Sequence, residues 1–189
     1  MGRLVTCALV VLLVVPTVAG ADEALWSLLR AGGHVLVMRH AATDPGTGDP
    51  PGFTLDDCAT QRNLSARGRE DARRVGEVFR ARGVPVSVVL SSRWCRCLDT
   101  ARLAFGVVEP WAALDSMFED KSKSDEQARA FRERAGTRPA NGNVVLVSHG
   151  VNIAAWTGVS TAQGDVVVLT PSGRATFRVA GTLTAVDLR

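Results

Sequence analysis

The sequence lacks the long apolar run that marks a membrane-spanning helix. Its apolar stretch, residues 4–15, is well short of the ~20 apolar residues that such a helix needs, and Pro16 follows it. The chain also lacks a cluster of basic residues, because its 22 Lys and Arg are dispersed along a sequence with 19 Asp and Glu, for a formal net charge of +3. These two absences argue against an integral membrane protein and against a nucleic-acid-binding protein.

The N-terminal segment is typical of an export signal. Arg3 precedes the apolar stretch, and Ala19-Gly20-Ala21 offers small residues for cleavage. We predict a signal peptide over residues 1–21 and a single domain over residues 22–189, exported to the periplasm or secreted, with no stable membrane span after cleavage. Removal of Arg3 leaves 21 basic and 19 acidic residues. A membrane anchor is the alternative.

Cysteine is scarce, and its spacing disfavours a zinc site. Cys58, Cys95 and Cys97 remain after cleavage, without the repeated Cys-x-x-Cys pair of common zinc sites. An odd number of cysteines in an exported chain predicts one disulfide and one free thiol. We expect the bridge to join Cys58 to Cys95 or to Cys97, because both stretches should border one crevice.

Apolar periodicity predicts alternating strands and helices. Buried strands are predicted over residues 34–38, 86–90 and 144–147, and two further strands over 166–169 and 176–179, joined by a turn at 171–173. Helices are predicted over residues 24–31, 65–82, 92–105 and 124–135, and another begins at residue 153. This order indicates an α/β fold, a three-layer α/β/α sandwich with a mostly parallel central sheet.

Two of the three histidines follow predicted strands. His40 ends the first strand and His149 ends the third. Because the carboxyl ends of parallel strands form the ligand crevice of such a sheet, we expect both imidazoles at one site. Residues 43–61 carry three Pro and three Gly without a steady period, so we expect a long loop that covers this site.

The residues around these histidines suit a tetrahedral anion. A guanidinium such as that of Arg39 binds phosphate oxygens with paired hydrogen bonds, and an unprotonated imidazole can attack phosphorus. Arg96 lies in the first turn of the helix after the second strand, where the helix dipole also favours an anion. A second imidazole, His149, can stabilise charge that develops in the transition state.

Three sequence motifs contain these four residues. They are Leu36-Val37-Met38-Arg39-His40-Ala41, the run Ser92-Arg93-Trp94-Cys95-Arg96-Cys97-Leu98-Asp99-Thr100-Ala101, and Val147-Ser148-His149-Gly150. In order and spacing they resemble the signature blocks of the histidine phosphatase (phosphoglycerate mutase-like) superfamily, and Asn63-Leu64-Ser65-x-x-Gly68 resembles the segment that opens its first long helix. The size and the short middle region are similar to small exported bacterial-type members, some of which act on phosphorylated envelope glycans.

The resemblance implies a phosphoglycerate mutase-like fold and a metal-independent phosphatase without cofactor. It implies that His40 is the phosphorylated nucleophile, that Arg39 and Arg96 bind phosphate, and that His149 is the second catalytic histidine. The implied substrate is a small phosphate monoester, with envelope glycan phosphates as one class. Thr43 is a further candidate for phosphate binding, and Gln61 or Arg62 for lining the pocket. The oligomeric state is left open.

Two positions depart from the family pattern. Ala41 stands where many members have Gly, a small change that we expect to be tolerated. Members commonly place a Glu as proton donor after the second motif, where this chain reads Leu114-Asp115-Ser116-Met117-Phe118-Glu119-Asp120. We expect Asp120 or Glu119, and then Asp115, to be this acid, with a pKa raised by partial burial.

The sequence also allows other interpretations. A phosphate- or sulfate-binding module without catalysis would explain the ambiguous acid. A hydrolytic metal site at His40, His149 and a carboxylate is disfavoured, because two arginines would repel a cation. A mutase and a phosphohistidine-protein phosphatase share the core residues but fit export less well.

Structural roles are predicted for the remaining candidates. His34 begins its strand on the opposite side of the sheet, and Trp94 and Trp156 are expected in the core. Arg93 replaces Arg96 as the phosphate ligand if the helix starts differently.

Overall fold

A six-stranded mixed sheet forms the centre of the computed structural model, which describes residues 18–118 and 120–188. Its strands are β1 Val35–Arg39, β2 Val86–Ser91, β3 Glu109–Pro110, β4 Asn143–Ser148, β5 Val166–Gly173 and β6 Thr176–Leu183. They lie in the order β3-β2-β4-β1-β5-β6. The pairs β1–β4, β2–β4 and β2–β3 are parallel, whereas β1–β5 and β5–β6 are antiparallel. The sheet is therefore mostly parallel, as predicted.

Helices cover both faces of this sheet. They are α1 Val18–Ala31, α2 Ala66–Ala81, α3 Cys95–Phe105, α4 Ser124–Gly136 and α5 Gly150–Thr157. Leu36 and Met38 of β1 pack in one cluster with apolar residues of α1, α2 and α3. Val35 and Val37, which point to the other face, pack with residues of α4 and α5. The predicted three-layer sandwich is thus confirmed.

Two close approaches fix α2 beside the end of β1. Ser65 caps α2, as its hydroxyl accepts a hydrogen bond from the Gly68 N–H at 3.0 Å and lies 3.2 Å from the Ala42 carbonyl oxygen. A Cβ at Gly68 would lie 1.8 Å from that same oxygen, so only glycine fits there. Helix α2 therefore packs directly against the chain two residues after His40.

Several predicted boundaries are wrong. Helix α1 begins at Val18, six residues before the predicted start at residue 24. Helix α3 begins at Cys95, three residues later than predicted. Helix α5 begins at Gly150, so Trp156 lies near its end. The predicted signal peptide otherwise falls outside the described residues.

The final hairpin and β2 also differ from expectation. The hairpin turn lies at Arg174 and Ala175, both with positive φ, instead of at residues 171–173, which belong to β5. Strand β2 is not fully buried, since Val88 is 37% exposed. Among residues 18–118 and 120–188, only the two-residue β3 pairs with its outer edge, which leaves most of β2 near solvent. No described helix is long and apolar enough to cross a membrane.

Candidate active site

The two strand-end histidines lie side by side. Strands β1 and β4 are neighbours in parallel register, with Arg39 opposite Ser148, so the next residues, His40 and His149, meet at the same edge. Their ring centroids are 5.6 Å apart, and their exposed fractions are only 3% and 4%. The sheet thus brings together imidazoles that are far apart in sequence.

These histidines line a cavity of about 620 Å³. Its cationic part is lined by Arg39, Arg62 and Arg96 beside the two imidazoles, and an apolar part by side chains that include Phe53, Phe118 and Val151. This volume is within the usual range of small-molecule sites. The cavity can therefore hold a phosphoryl group together with a small organic group.

Three buried or half-buried guanidinium groups surround the cationic part. Burial lowers the pKa of Arg39, and the nearby Arg62 lowers it further. Burial likewise lowers the pKa of Arg62, with a further contribution from Arg96. Among the described residues, the buried Nε atoms of Arg39 and Arg96 have no hydrogen-bond partner. Unpaired cationic donors are costly to bury, so this arrangement favours an anionic ligand.

His40 is held in a form that can attack phosphorus. Its Nδ1 lies 2.9 Å from the Ala41 carbonyl oxygen, which can only accept, so Nδ1 carries the proton and Nε2 keeps a free lone pair. Burial lowers the pKa of His40 to about 3, and the cations of Arg96, Arg39 and Arg62 contribute. The imidazole is therefore neutral at neutral pH, which nucleophilic attack requires.

His149 is also neutral in this arrangement. Burial holds its pKa well below the usual value, and the neighbouring His40 adds to the shift. Its Nε2 lies 2.9 Å from the Ser92 hydroxyl, which also lies 3.4 Å from Asp115. A bound phosphoryl dianion would supply the negative charge that favours the imidazolium.

The loop over residues 43–62, the cavity loop, lines one wall of this site, as expected. Gly46, Asp49 and Arg62 are among its lining residues. Arg62 Nε donates to the Gly48 carbonyl oxygen at 2.8 Å, and the Gln61 side chain accepts from the Cys95 N–H at 2.9 Å. The loop is thereby tied to itself and to the start of α3.

A disulfide adds a covalent tie between the cavity loop and α3. It joins Cys58 to Cys95, the first of the two predicted pairings. Cys97 is free and buried, with its Sγ 3.5 Å from His149 Nε2. Burial raises the pKa of Cys97 to about 12, so its thiol is neutral. Cys97 is therefore a packed side chain at neutral pH and not a thiolate nucleophile.

Arg62 lines the cavity, as one of the two expected lining candidates, whereas Thr43 does not. Thr43 is not a lining residue; its hydroxyl accepts hydrogen bonds from Arg62 Nη1 and, at 3.1 Å, from Gln163 Nε2. Thr43 therefore orients Arg62, which itself lines the cavity. Sequence reasoning ranked Arg62 only as a possible lining residue, because no motif marks its role.

Of the expected acids, Asp120 lacks the predicted environment and Asp115 does not line the cavity. Asp120 lines the cavity but is exposed, and hydrogen bonds from the Ser122 backbone and hydroxyl lower its pKa, contrary to the expected rise. Asp115 is not a lining residue and is held by Arg93, whose Nη2 lies 2.6 Å from Asp115 Oδ2. Glu119 lies outside the described residues. Sequence reasoning missed Asp49, a second lining carboxylate, because it falls in a loop without a motif.

The sequence also predicts positions for Arg93 and for the two tryptophans Trp94 and Trp156. Arg93 pairs with Asp115, while Arg96, in the first turn of α3, lines the cavity. Trp156 is buried and stacks on Phe131 with centroids 4.3 Å apart, as expected of a core residue. Trp94 packs against the core, as expected, and also lines the cavity, with its ring edge-to-face with His149 at 5.4 Å. Within residues 18–118 and 120–188, no three His, Cys, Asp or Glu side chains form a metal-binding group.

The family model of the histidine phosphatase superfamily (branch 1) matches residues 35–120. This match holds the first two motifs, so this part of the chain is similar to the histidine phosphatase superfamily. A comparison with curated proteins found no match.

Solved structures share the histidine phosphatase fold. The protein histidine phosphatase SixA in complex with tungstate is 15% identical with a TM-score of 0.57, covering 82% of this chain and 99% of that chain. A SixA protein from Agrobacterium tumefaciens is 20% identical with a TM-score of 0.51, over 80% and 97% of the two chains. A phosphoserine phosphatase from Entamoeba histolytica, with phosphoserine bound, is 13% identical with a TM-score of 0.53, over 82% and 99%.

The histidine phosphatase match includes Arg39, His40 and Arg96 but ends before His149. The position of His149 beside His40 therefore rests on the fold. Ala41, which replaces the glycine of many histidine phosphatases, packs with Leu64 and Ala72, and its N–H donates to Thr100 Oγ1 at 3.0 Å. The methyl group of Ala41 is thus accommodated in the core.

Proposed function

We propose that this protein is a metal-independent phosphatase that hydrolyses phosphate monoesters through a phosphohistidine at His40. The observation that carries the proposal is the neutral His40, with its tautomer set by the Ala41 carbonyl, beside three guanidinium groups and His149. A nucleophile and a set of phosphate ligands thus share one cavity. The comparison structures with phosphatase names support the same class of reaction.

The mechanism has two displacements. Arg39, Arg62 and Arg96 bind the phosphoryl oxygens and spread their charge, while His149 donates to an oxygen of the transition state. His40 Nε2 attacks phosphorus as the bond to the leaving oxygen breaks, and a protein acid protonates that oxygen. Water then attacks the phosphohistidine, which releases phosphate and restores His40. The arginines and histidines supply the charge, so the proposal requires no metal or cofactor.

We further propose that the protein acts outside the cytoplasm, as an exported periplasmic or secreted enzyme. The N-terminal segment over residues 1–21 supports this, and so does the Cys58–Cys95 disulfide, since such bridges persist in oxidising compartments. The partner is a small phosphorylated molecule and not a nucleic acid. We propose phosphorylated envelope glycans as one substrate class, because apolar lining side chains such as Phe53 can accept the face of a sugar ring.

A phosphate- or sulfate-binding module of the same fold is the second candidate. The observation that favours it is the state of Asp120, exposed and with its pKa lowered, which makes it a poor proton donor. Such a module would bind phosphate tightly and turn over no ester.

Metal-free hydrolysis of an aryl phosphate by residues 22–189, with and without a chelator, tests the proposal against the binding module. We expect chelator-resistant activity and an acid-labile phosphoenzyme, both lost in His40→Ala. His34→Ala is the matched control, because His34 lies at the opposite end of β1 and bonds Thr170. Phosphate binding without hydrolysis of any ester would support the module instead, and loss of activity with the chelator would contradict the mechanism.

A further inference from the structure

Asp49 is a buried carboxylate inside the cationic part of the cavity. Its Oδ1 lies 2.7 Å from Arg96 Nη1, and the two side chains are only 3% and 4% exposed. The backbone N–H of Arg62 also donates to Oδ1 at 2.9 Å, and Trp94 Nε1 donates to Oδ2 at 2.9 Å. Three donors therefore fix this carboxylate in one orientation at the cavity wall.

The position of Asp49 places it next to any phosphoryl group that Arg96 binds. Arg96 Nη1 contacts Asp49, while Arg96 Nε is buried without a partner among the described residues. A phosphoryl oxygen that takes hydrogen bonds from this guanidinium must come within a few ångströms of the carboxylate. Of the described carboxylates, only Asp49 and Asp120 line the cavity, and Asp120 is exposed.

We infer that Asp49 is the general acid and base of this site. This inference rests on the phosphatase function proposed above. Asp49 is supplied by the cavity loop, and not by the segment after the second motif where sequence reasoning placed the acid.

The electrostatics of Asp49 change when substrate binds. Burial raises the pKa of Asp49, but the hydrogen bonds from Arg96 and the Arg62 backbone outweigh it and lower the pKa in the free protein. A bound phosphoryl group takes donors of Arg96 and adds negative charge beside the carboxylate, and both changes favour its protonated form. Substrate binding therefore promotes protonation of Asp49, which can then act as the acid.

The protons balance over the two steps. A monoester that enters as the monoanion gives its proton to Asp49 and leaves a dianionic phosphoryl group between the arginines. The His40 Nε2 lone pair forms the N–P bond, the P–O bond breaks, and the Asp49 proton goes to the leaving oxygen. Water then attacks phosphorus and returns a proton to Asp49, the N–P electron pair returns to Nε2, and phosphate leaves with that proton.

Two substrates with different leaving groups test this role. The enzyme is purified from cells that express the full-length sequence, and kcat is measured with 4-nitrophenyl phosphate and with glycerol phosphate. Protonation matters little for nitrophenolate and greatly for an alkoxide, so we expect Asp49→Asn to lose more than ~100-fold with glycerol phosphate and less than ~10-fold with the aryl ester. Inorganic phosphate should bind the variant as tightly as wild type or more tightly, because a negative charge beside Arg96 is removed.

Two further variants complete the test. Asp44→Asn makes the same charge change at an exposed position of the cavity loop that does not line the cavity, and should match wild type. Asp120→Asn tests the competing acid: a selective loss with glycerol phosphate in this variant would overturn the inference even if Asp49→Asn failed to fold.

The remaining outcomes distinguish failure of the Asp49 inference from failure of the proposed phosphatase function. Equal losses of kcat with both substrates in Asp49→Asn would mean that Asp49 only positions Arg96. Faster turnover of both substrates would mean that Asp49 competes with substrate for Arg96. Either result overturns the inference but leaves the proposed phosphatase function intact. Wild-type enzyme that hydrolyses neither ester and forms no phosphoenzyme overturns the proposed function, and the inference with it.

Discussion

At the scale of single residues, burial of His40 beside cationic groups sets both its reactivity and its effect on stability. Its pKa in the folded protein is about 3, because of burial first and of the arginines second, against a usual value of 6.5. Between these two pH values the unfolded chain binds more protons than the folded chain. The free energy of unfolding therefore keeps its full His40 contribution above pH 6.5 and loses it as the pH falls toward 3.

This linkage predicts that stability depends on pH and that a substitution of His40 reduces this dependence. We expect urea unfolding of wild type to show a clear loss of stability from about pH 7 to about pH 4.5, and His40→Asn to show a smaller loss, since asparagine does not titrate. The pKa of His149 is lowered in the same direction, so part of the slope should remain. An identical slope in wild type and His40→Asn would contradict the burial of a neutral His40.

Arg62 is the second residue whose role can be tested directly. It lines the cavity, and its side chain is held by Gly48 and Thr43. A charge-assisted hydrogen bond contributes about 1.5–3 kcal/mol, so we expect Arg62→Ala to reduce kcat/KM for an aryl phosphate by roughly 10- to 100-fold. Arg67→Ala, at an exposed position of α2, is the matched control and should leave kcat/KM unchanged. Equal kcat/KM values for Arg62→Ala and Arg67→Ala would show that Arg62 does not bind substrate.

At the scale of elements, the position of α2 depends on contacts that only glycine permits. A Cβ at Gly68 would lie 1.8 Å from the Ala42 carbonyl oxygen, and one at Gly76 would lie 1.9 Å from the Ala104 carbonyl oxygen. The first contact holds α2 against the chain after His40, and the second packs α2 against α3. Both contacts support stability, but only the first lies near the active site.

Alanine substitutions should separate these two effects. We expect Gly68→Ala and Gly76→Ala each to lower the free energy of unfolding by about 1–3 kcal/mol, as overpacking does. Gly68→Ala should also reduce kcat, because it displaces the segment that carries the His40 tautomer contact, whereas folded Gly76→Ala should keep kcat close to wild type. Thermal unfolding and aryl phosphate kinetics on both variants check this, and an unchanged kcat in Gly68→Ala would contradict it.

At the scale of the whole molecule, the Cys58–Cys95 disulfide connects the cavity loop to α3 across 37 residues. Loop-closure entropy for a segment of this length corresponds to about 4 kcal/mol in the chain-entropy account. The double variant Cys58→Ser with Cys95→Ser should therefore be less stable by up to this amount and should bind phosphate more weakly, since the loop carries the phosphate ligand Arg62. Urea unfolding and phosphate titration measure both effects, and unchanged stability with unchanged phosphate affinity would contradict the tethering role.

Alkylation under non-reducing conditions checks the pairing independently of that variant. Residues 22–189 should show one reactive thiol, that of the buried Cys97, and only after denaturation. A thiol that reacts in the folded protein would contradict the burial of Cys97.

The sequence by itself determined the layer architecture, the strand ends that carry His40 and His149, and the Ser65 cap of α2. These features follow from short-range patterns: apolar runs form buried strands, Ser65 satisfies the first turn of α2, and parallel strands end at one edge. The same patterns placed Arg39 and Arg96 at the crevice, since each lies within one residue of an element end.

Only the tertiary structure decided which loop residues reach that crevice. The contact between Asp49 and Arg96 joins residues 47 apart, and Arg62 and Trp94 line the cavity from a loop and a helix cap without periodicity. The choice of Cys95 over Cys97 likewise depends on the path of the cavity loop, because the two cysteines are neighbours in the first turn of α3. A loop takes its path from hydrogen bonds and packing with distant residues, and no local pattern in the sequence encodes those partners.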